Sequence, residues 1–80
     1  MKLKILAFGI VKDIFGNSEI ELQMPETANV KDLKNELEEK YEALKRLKSY
    51  FIAVNEEYAE DDLQLHPNNE IAIIPPVSGG

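Results

Sequence analysis

The sequence predicts a single α+β domain in which one main helix covers one face of a mixed sheet. Two short segments near the N-terminus alternate apolar and polar residues, as strands with one solvent-exposed face do. A helical stripe follows them, and two apolar runs come after the helix. Because a helix that follows two strands needs a sheet to cover, we predict that the later runs complete that sheet.

The length and composition limit both the number of domains and the kinds of partner. Eighty residues support one core, so we predict one domain over 1–80, with 75–80 as a flexible tail. The absence of cysteine excludes disulfides, thiolate metal sites and a cysteine nucleophile. A net charge of -6 repels phosphate backbones and anionic lipids, so we expect no nucleic-acid and no membrane partner. With no signal peptide or membrane span in the pattern, we expect a cytoplasmic location.

The N-terminal third predicts two paired strands. Residues 2–8, KLKILAF, place Leu3 and Ile5 on one face of the first strand. A Gly-Asn-Ser turn signal at 16–18 follows, and residues 19–24, EIELQM, alternate more cleanly. We therefore predict that the two strands form an antiparallel hairpin.

The middle of the chain predicts the main helix. Val30, Leu33 and Leu37 recur at spacings of three and four residues, which places them on one helical face. Asn29 is a candidate N-cap, and Asp32 three residues later resembles a capping box. The stretch EALKRLKS that follows predicts either an extension of the helix or a separate short turn.

The last third predicts the remaining strands. Residues 50–55, YFIAVN, form a continuous apolar run, typical of a strand buried on both faces or nearly so. NEEY then predicts a tight reversal into a short strand. EIAIIP at 70–75 is apolar on both sides, which favours a central strand parallel to the first. This order of elements is that of the β-grasp, or ubiquitin-like, fold.

The polar residues of the body do not form a catalytic or metal-binding pattern. His66 precedes Pro67 in a predicted turn, and we expect it in a surface loop. The acidic runs 36–39 and 56–62 are predicted to be solvated faces. We therefore expect no metal site and no cofactor bound by the chain itself.

The sequence finishes on PPVSGG, which has the features of an arm that enters a tunnel. Gly79 and Gly80 have no Cβ, so this backbone can pass a narrow opening and adopt dihedrals closed to other residues. Pro75 and Pro76 fix φ and favour a stiff extended exit. Six residues reach about 20 Å when extended. A diglycine alone also fits a frayed terminus.

With this order of elements and this tail, the sequence resembles the MoaD-type sulfur carriers, the small subunits of molybdopterin synthase. The stretches KILAFGIVKDIFG, NVKDLKNEL, IAVNEEY and NEIAIIPPVSGG carry the resemblance. It implies a carrier without a catalytic site of its own. A MoeB-like adenylating enzyme would use ATP to adenylate the carboxylate of Gly80, and a sulfur donor would convert it to a thiocarboxylate. The sulfur would pass to a pyranopterin precursor and form the dithiolene that binds molybdenum or tungsten.

The resemblance also implies a docking surface. It places Phe8, Tyr58 and Ile74 in an apolar patch on the open sheet face, and the synthase large subunit would bind there to give a heterotetramer. The position of Phe8 in the alternation of the first strand favours the open face over the core. The arm residues expected to contact the partner are Pro75, Pro76, Val77 and Ser78, with Gly79 providing clearance.

Three other functions fit parts of the same pattern. A thiamine-pathway sulfur carrier would use the same chemistry, but such chains are generally shorter and lack the FGIVKDIFG segment. A ubiquitin-like modifier would join Gly80 to lysines through isopeptide bonds. A plain β-grasp interaction domain would have an idle tail.

Overall fold

Residues 1–47 and 49–75 of the chain are described by a computed structural model. The elements of this part of the chain are β1 (Lys2–Ala7), α1 (Gly9–Phe15), β2 (Glu19–Gln23), α2 (Val30–Lys40), α3 (Glu42–Lys45), β3 (Phe51–Val54), β4 (Glu57–Tyr58) and β5 (Ile71–Ile74). Predictions that concern Pro76 to Gly80 lie outside the described residues. Within the described ranges, no helix is both long enough and apolar enough to cross a bilayer.

The five strands form one mixed sheet in the order β2-β1-β5-β3-β4. Strand β1 pairs antiparallel with β2 and parallel with β5. Strand β5 also pairs antiparallel with β3, so the last strand lies in the centre of the sheet. The predicted central place of this strand and its parallel pairing with the first strand are confirmed.

Helix α2 and one face of the sheet enclose the core. The helical stripe of Val30, Leu33 and Leu37 is fully buried, as the spacing predicted. The sheet residues that share this core include Leu3, Ile5, Ala7, Leu22, Ile52, Val54, Ile71 and Ile73. The apolar residues that alternate along β1 therefore face the core, as predicted. The predicted β-grasp fold is confirmed.

Two side chains fix the start of α2. The Oδ1 atom of Asn29 accepts a hydrogen bond of 2.9 Å from the backbone N–H of Asp32. The backbone N–H of Asn29 donates to Oδ2 of Asp32 at 3.0 Å, which completes a capping box. The stretch after α2 forms the separate short helix α3, with Tyr41 between the two helices in an extended conformation.

The hairpin predicted between the first two strands is wrong in its connection, because helix α1 lies between β1 and β2. Val11 and Phe15, four residues apart, are buried on one side of α1 and join the core. The predicted turn signal belongs to the end of this helix. Gly16 adopts φ 79°, and its N–H donates to the carbonyl of Lys12 at 2.9 Å.

The expectation that β3 is buried on both faces or nearly so holds for three of its four residues. Ile52, Ala53 and Val54 are buried, but the side chain of Phe51 is 46% exposed. Strand β4 follows a two-residue reversal in which Asn55 and Glu56 have φ values of 52° and 70°. These left-handed conformations are typical of a type I′ hairpin turn. The predicted reversal is thus confirmed.

A polar cluster joins α2 to the loops on its outer side. The hydroxyl of Tyr50 donates a hydrogen bond to Glu38. Burial, together with this hydrogen bond, raises the pKa of Tyr50 above its usual range. Lys34 Nζ lies 2.7 Å from Oδ1 of Asp61, and this hydrogen bond lowers the pKa of the Asp61 carboxyl. The first contact holds the residue before β3 against α2, and the second holds the loop before β5 against the same helix.

The helix–sheet interface predicts the effect of truncating the buried stripe. Leu33→Ala should lower the free energy of unfolding by roughly 2–5 kcal/mol, because it removes a fully buried side chain and leaves a cavity. Asn35→Ala on the exposed side of the same helix should change it by less than about 0.5 kcal/mol. Urea denaturation measures both. Equal effects would contradict the orientation of α2.

Candidate functional site

The sheet face opposite α2 carries an apolar row that crosses four strands. The strand register places Leu6 beside Ala72, Ala72 beside Ala53, and Ala53 beside Tyr58. In a β-sheet, residues directly opposite each other on neighbouring strands point to the same face. Because alanine has a small side chain, the sheet surface is shallower at the two alanines than at Leu6 and Tyr58, which lie at the ends of the row.

A second apolar row lies at the end of the sheet where β5 stops. Phe51 is directly opposite Ile74, and Phe51 and Tyr58 stack with ring centroids 5.3 Å apart. Phe8 comes directly after β1 and is 49% exposed, whereas Tyr58 is 71% exposed. Large apolar side chains that are exposed together mark an interaction surface. We call Phe8, Phe51, Tyr58 and Ile74 the open-face patch.

Four of the sequence-predicted partner residues fall in the described ranges. Phe8 and Tyr58 are exposed, and Ile74 and Pro75 are half-buried. The arrangement brings Ile74 next to Phe51, and it brings Pro75 next to the first turn of α1. The other predicted site residues lie outside the described residues: Pro76, Val77, Ser78, Gly79 and Gly80.

Phe51 is the patch residue that the sequence prediction missed. The apolar run around it suggested burial on both faces. Its alternation with Ile52 and its place next to a two-residue hairpin were the signals that could have identified it. Because the hairpin fixes the register, Phe51 must face the same side as Tyr58 and not the core.

The two flanks of the open-face patch differ in charge. On the β1–β2 side, Lys2 lies 4.0 Å from Glu21 and Lys4 lies 3.9 Å from Glu19, so cations and carboxylates balance. On the β4 side, exposed carboxylates surround Tyr58, including Glu56, Glu57, Glu60 and Asp62. Exposed ion pairs add little stability, but an unbalanced flank steers an oppositely charged partner. The charge pattern suits a partner that is basic on the β4 side.

The described residues do not assemble a catalytic centre. No group of three or more histidine, cysteine or acidic side chains in ranges 1–47 and 49–75 could hold a metal ion. His66 is exposed in the loop before β5, as expected. The raised pKa of Tyr50 reflects its burial and then its hydrogen bond to Glu38 of α2, away from the open-face patch. The feature that the described residues do present is the open-face patch, which adjoins the end of β5.

The fold and this patch define a protein of the ubiquitin-like β-grasp class. The chain belongs to the ThiS family, which it matches over residues 5–80. It is 37% identical to the molybdopterin synthase sulfur carrier subunit of Dictyostelium discoideum, with 99% of this chain and 96% of that protein covered. Identity to the corresponding subunit of Arabidopsis thaliana is 33%, covering 100% of this chain and 84% of that protein. The resemblance to MoaD-type sulfur carriers is confirmed.

Solved structures support the same assignment of the fold. A putative molybdopterin converting factor subunit 1 from Pyrococcus furiosus superposes with a TM-score of 0.84 at 29% identity, covering 96% of this chain and 99% of that one. Small archaeal modifier protein 1 from Methanosarcina acetivorans gives 0.80 at 28% identity, with coverage of 99% and 96%. A Helicobacter pylori complex of subunits 1 and 2 of molybdopterin-converting factor gives 0.71 at 25% identity, with both chains fully covered.

Proposed function

We infer that this chain is the sulfur carrier subunit of a molybdopterin synthase. The observation that carries the inference is the full-length similarity to curated subunits of that name, at 33% and 37% identity in the two relatives above. The similarity to the family extends through residue 80 and therefore includes the PPVSGG segment. The proposal includes the cytoplasmic location expected from the sequence.

In this proposal the carboxylate of Gly80 is the group that carries sulfur. A carboxylate is a poor acyl electrophile, so a MoeB-like partner first joins a Gly80 oxygen to the α-phosphorus of ATP and releases pyrophosphate. A sulfur donor then supplies a hydrosulfide equivalent to the carbonyl carbon, and AMP leaves with the oxygen. The product is a C-terminal thiocarboxylate. The chain itself needs no nucleophile, metal or bound cofactor for these steps.

Delivery of the sulfur takes place in the large subunit. The thiocarboxylate sulfur attacks an electrophilic carbon of the pyranopterin precursor and displaces an oxygen substituent, which departs with the electron pair of the broken carbon–oxygen bond. The Gly80 carbonyl becomes an acyl group on that sulfur. Water then cleaves the acyl–sulfur bond, which leaves sulfur on the pterin and restores the Gly80 carboxylate. Each charged carrier delivers one sulfur atom, so a dithiolene requires two deliveries. A heterotetramer with two carriers and two large subunits suits this stoichiometry.

The open-face patch supplies the docking surface in this proposal. It lies at the end of the sheet where β5 stops, so a partner that covers Phe8, Phe51 and Tyr58 also receives the arm that begins at Pro75. Apolar contact would provide the affinity, while the acidic β4 flank would favour partners with a basic surface. The same patch would serve the adenylating enzyme and the large subunit in turn.

A ubiquitin-like modifier remains the second candidate function. The similarity to a small archaeal modifier protein at 28% identity favours it, since that protein matches along nearly its whole length. Both functions begin with adenylation of Gly80, and they differ in whether a sulfur or a lysine amine accepts the acyl group. The curated relatives above bear the molybdopterin synthase name and favour sulfur transfer to a pterin over the thiamine pathway.

Intact-protein mass spectrometry tests the proposed chemistry. After incubation with a cognate adenylating enzyme, ATP and a sulfur donor, the chain should gain the mass difference of one sulfur for one oxygen, localised to Gly80.

A variant with one residue added after Gly80 should fold normally but fail to deliver sulfur. The added residue moves the carboxyl by about 3.5 Å, and a displacement of about 1 Å can cost a hundredfold in rate.

Two results would contradict the proposed chemistry, one from mass spectrometry and one from a shortened chain. One is an unchanged mass in the presence of an adenylating enzyme that is active on another carrier. The other is full sulfur-transfer activity from a chain that lacks Gly79 and Gly80. Conjugates of the chain with lysine side chains, in place of a thiocarboxylate, would instead support the modifier.

Phe8→Asp tests the docking surface. Because Phe8 is 49% exposed, the variant should keep its fold, and its affinity for the large subunit should fall by about tenfold or more. Asn35→Asp adds the same charge on α2, on the other side of the domain, and should bind normally. Calorimetry measures the binding, and circular dichroism monitors the fold. Unfolding of Phe8→Asp would show that Phe8 is part of the core, and unchanged binding would place the interface elsewhere.

A further inference from the structure

Two strand exits meet at the end of the sheet where β5 stops. Strands β1 and β5 run parallel, and their last pair is Ala7 with Ile73. Continuing this register brings Phe8 beside Ile74 and Gly9 beside Pro75. The pairing cannot continue, because Gly9 begins α1 and Pro75 has no N–H to donate. The first turn of α1 therefore lies directly against the root of the C-terminal arm.

Gly9 is the residue that allows this close approach. Its φ is +55°, a left-handed conformation that other residues rarely adopt. A Cβ at this position would lie 3.1 Å from Cγ of Pro75, so the ring would have to shift by a few tenths of an ångström, whereas its distance of 3.9 Å from Cβ of Pro75 is an ordinary contact. Gly16, at φ +79°, has a similar backbone conformation, but a Cβ there would meet no atom within 4 Å. Both glycines thus adopt a positive φ, but only at Gly9 would an added Cβ contact another residue, Pro75.

We propose that Gly9 is a positioning residue for the carrier arm, because the absence of its Cβ lets the Pro75 ring seat against α1. This proposal rests on the proposed function of the arm. The seat fixes the point and the direction in which the chain leaves the sheet. A Cβ at Gly9 would displace the ring of Pro75, and Pro75 is where the arm that ends in the reactive carboxyl of Gly80 begins. Sulfur transfer depends steeply on the position of that group.

Gly9→Ala and Gly16→Ala form a matched pair that tests the proposal. Both introduce a Cβ at a left-handed φ and should lower the melting temperature, and Gly9→Ala should lower it somewhat more because only its Cβ crowds a neighbour. With each variant charged as the thiocarboxylate, single-turnover sulfur transfer should be about threefold to tenfold slower in Gly9→Ala than in Gly16→Ala. The loss should appear in the transfer rate at saturating large subunit. The concentration of large subunit that gives half of this rate should change little. Equal rates in the two variants would overturn the proposal.

Removing the Pro75 ring provides a second test, which separates the contact from the backbone strain. The substitution Gly9→Ala should slow transfer less in a Pro75→Ala background than in the natural chain, because the Cγ atom that it approaches is gone. The ratio of the two slowdowns measures the coupling between the residues. A slowdown of the same size in both backgrounds would show that Gly9 acts through its backbone alone and would overturn the proposal.

Sulfur transfer by the natural chain shows whether a negative result concerns the role of Gly9 or the proposed carrier function as a whole. If the natural chain acquires no sulfur, the carrier function fails, and the role of the seat in transfer fails with it. If the natural chain transfers sulfur and the two variants Gly9→Ala and Gly16→Ala transfer it at equal rates, only the proposed role of Gly9 is wrong. In the free protein, an NMR cross-peak between the α-protons of Gly9 and the ring protons of Pro75 should be present. Its absence would also overturn the seat.

Discussion

The central position of β5 is the constraint on which the rest of the structure depends. This strand hydrogen-bonds to β1 on one side and to β3 on the other, so neither of its edges is free. Ile71 and Ile73 point into the core, whereas Ala72 and Ile74 point to the open face. Because β5 ends in the middle of the sheet, Pro75 follows directly beside the open-face patch. The fold thus places the proposed docking surface next to the start of the proposed arm.

The two faces of the sheet have separate tasks. One face is closed by α2, whose capping box and fully buried stripe set its position. The other face presents an apolar patch that is balanced in charge on the β2 side and acidic around Tyr58. In the described residues, no group of three or more histidine, cysteine or acidic side chains could hold a metal ion. The division between the two faces suits the proposed carrier, in which the reactive group is on the arm and the partners supply the catalysis.

The sequence predicted the features that depend on strong periodicity. The alternation of β1 and the spacing of the α2 stripe were sufficient to predict the sheet, the helix and the buried face. Helix α1 was missed because it has only seven residues, begins with glycine and has no side-chain cap at Phe8. The spacing of Val11 and Phe15 was its only signal. The exposure of Phe51 was missed because its orientation follows from a hairpin register, and the contact of Gly9 with Pro75 joins residues that are distant in sequence.

The central claim is that the open face and the exit of β5 form one interface, and NMR cross-saturation measures it most directly. Isotope-labelled chain would be mixed with unlabelled synthase large subunit, and saturation would be transferred from the large subunit. The account predicts that the strongest losses occur at Phe8, Phe51, Tyr58 and Ile74, with little loss on the outer face of α2 around Asn35. Losses concentrated on α2, with the open face unaffected, would contradict it.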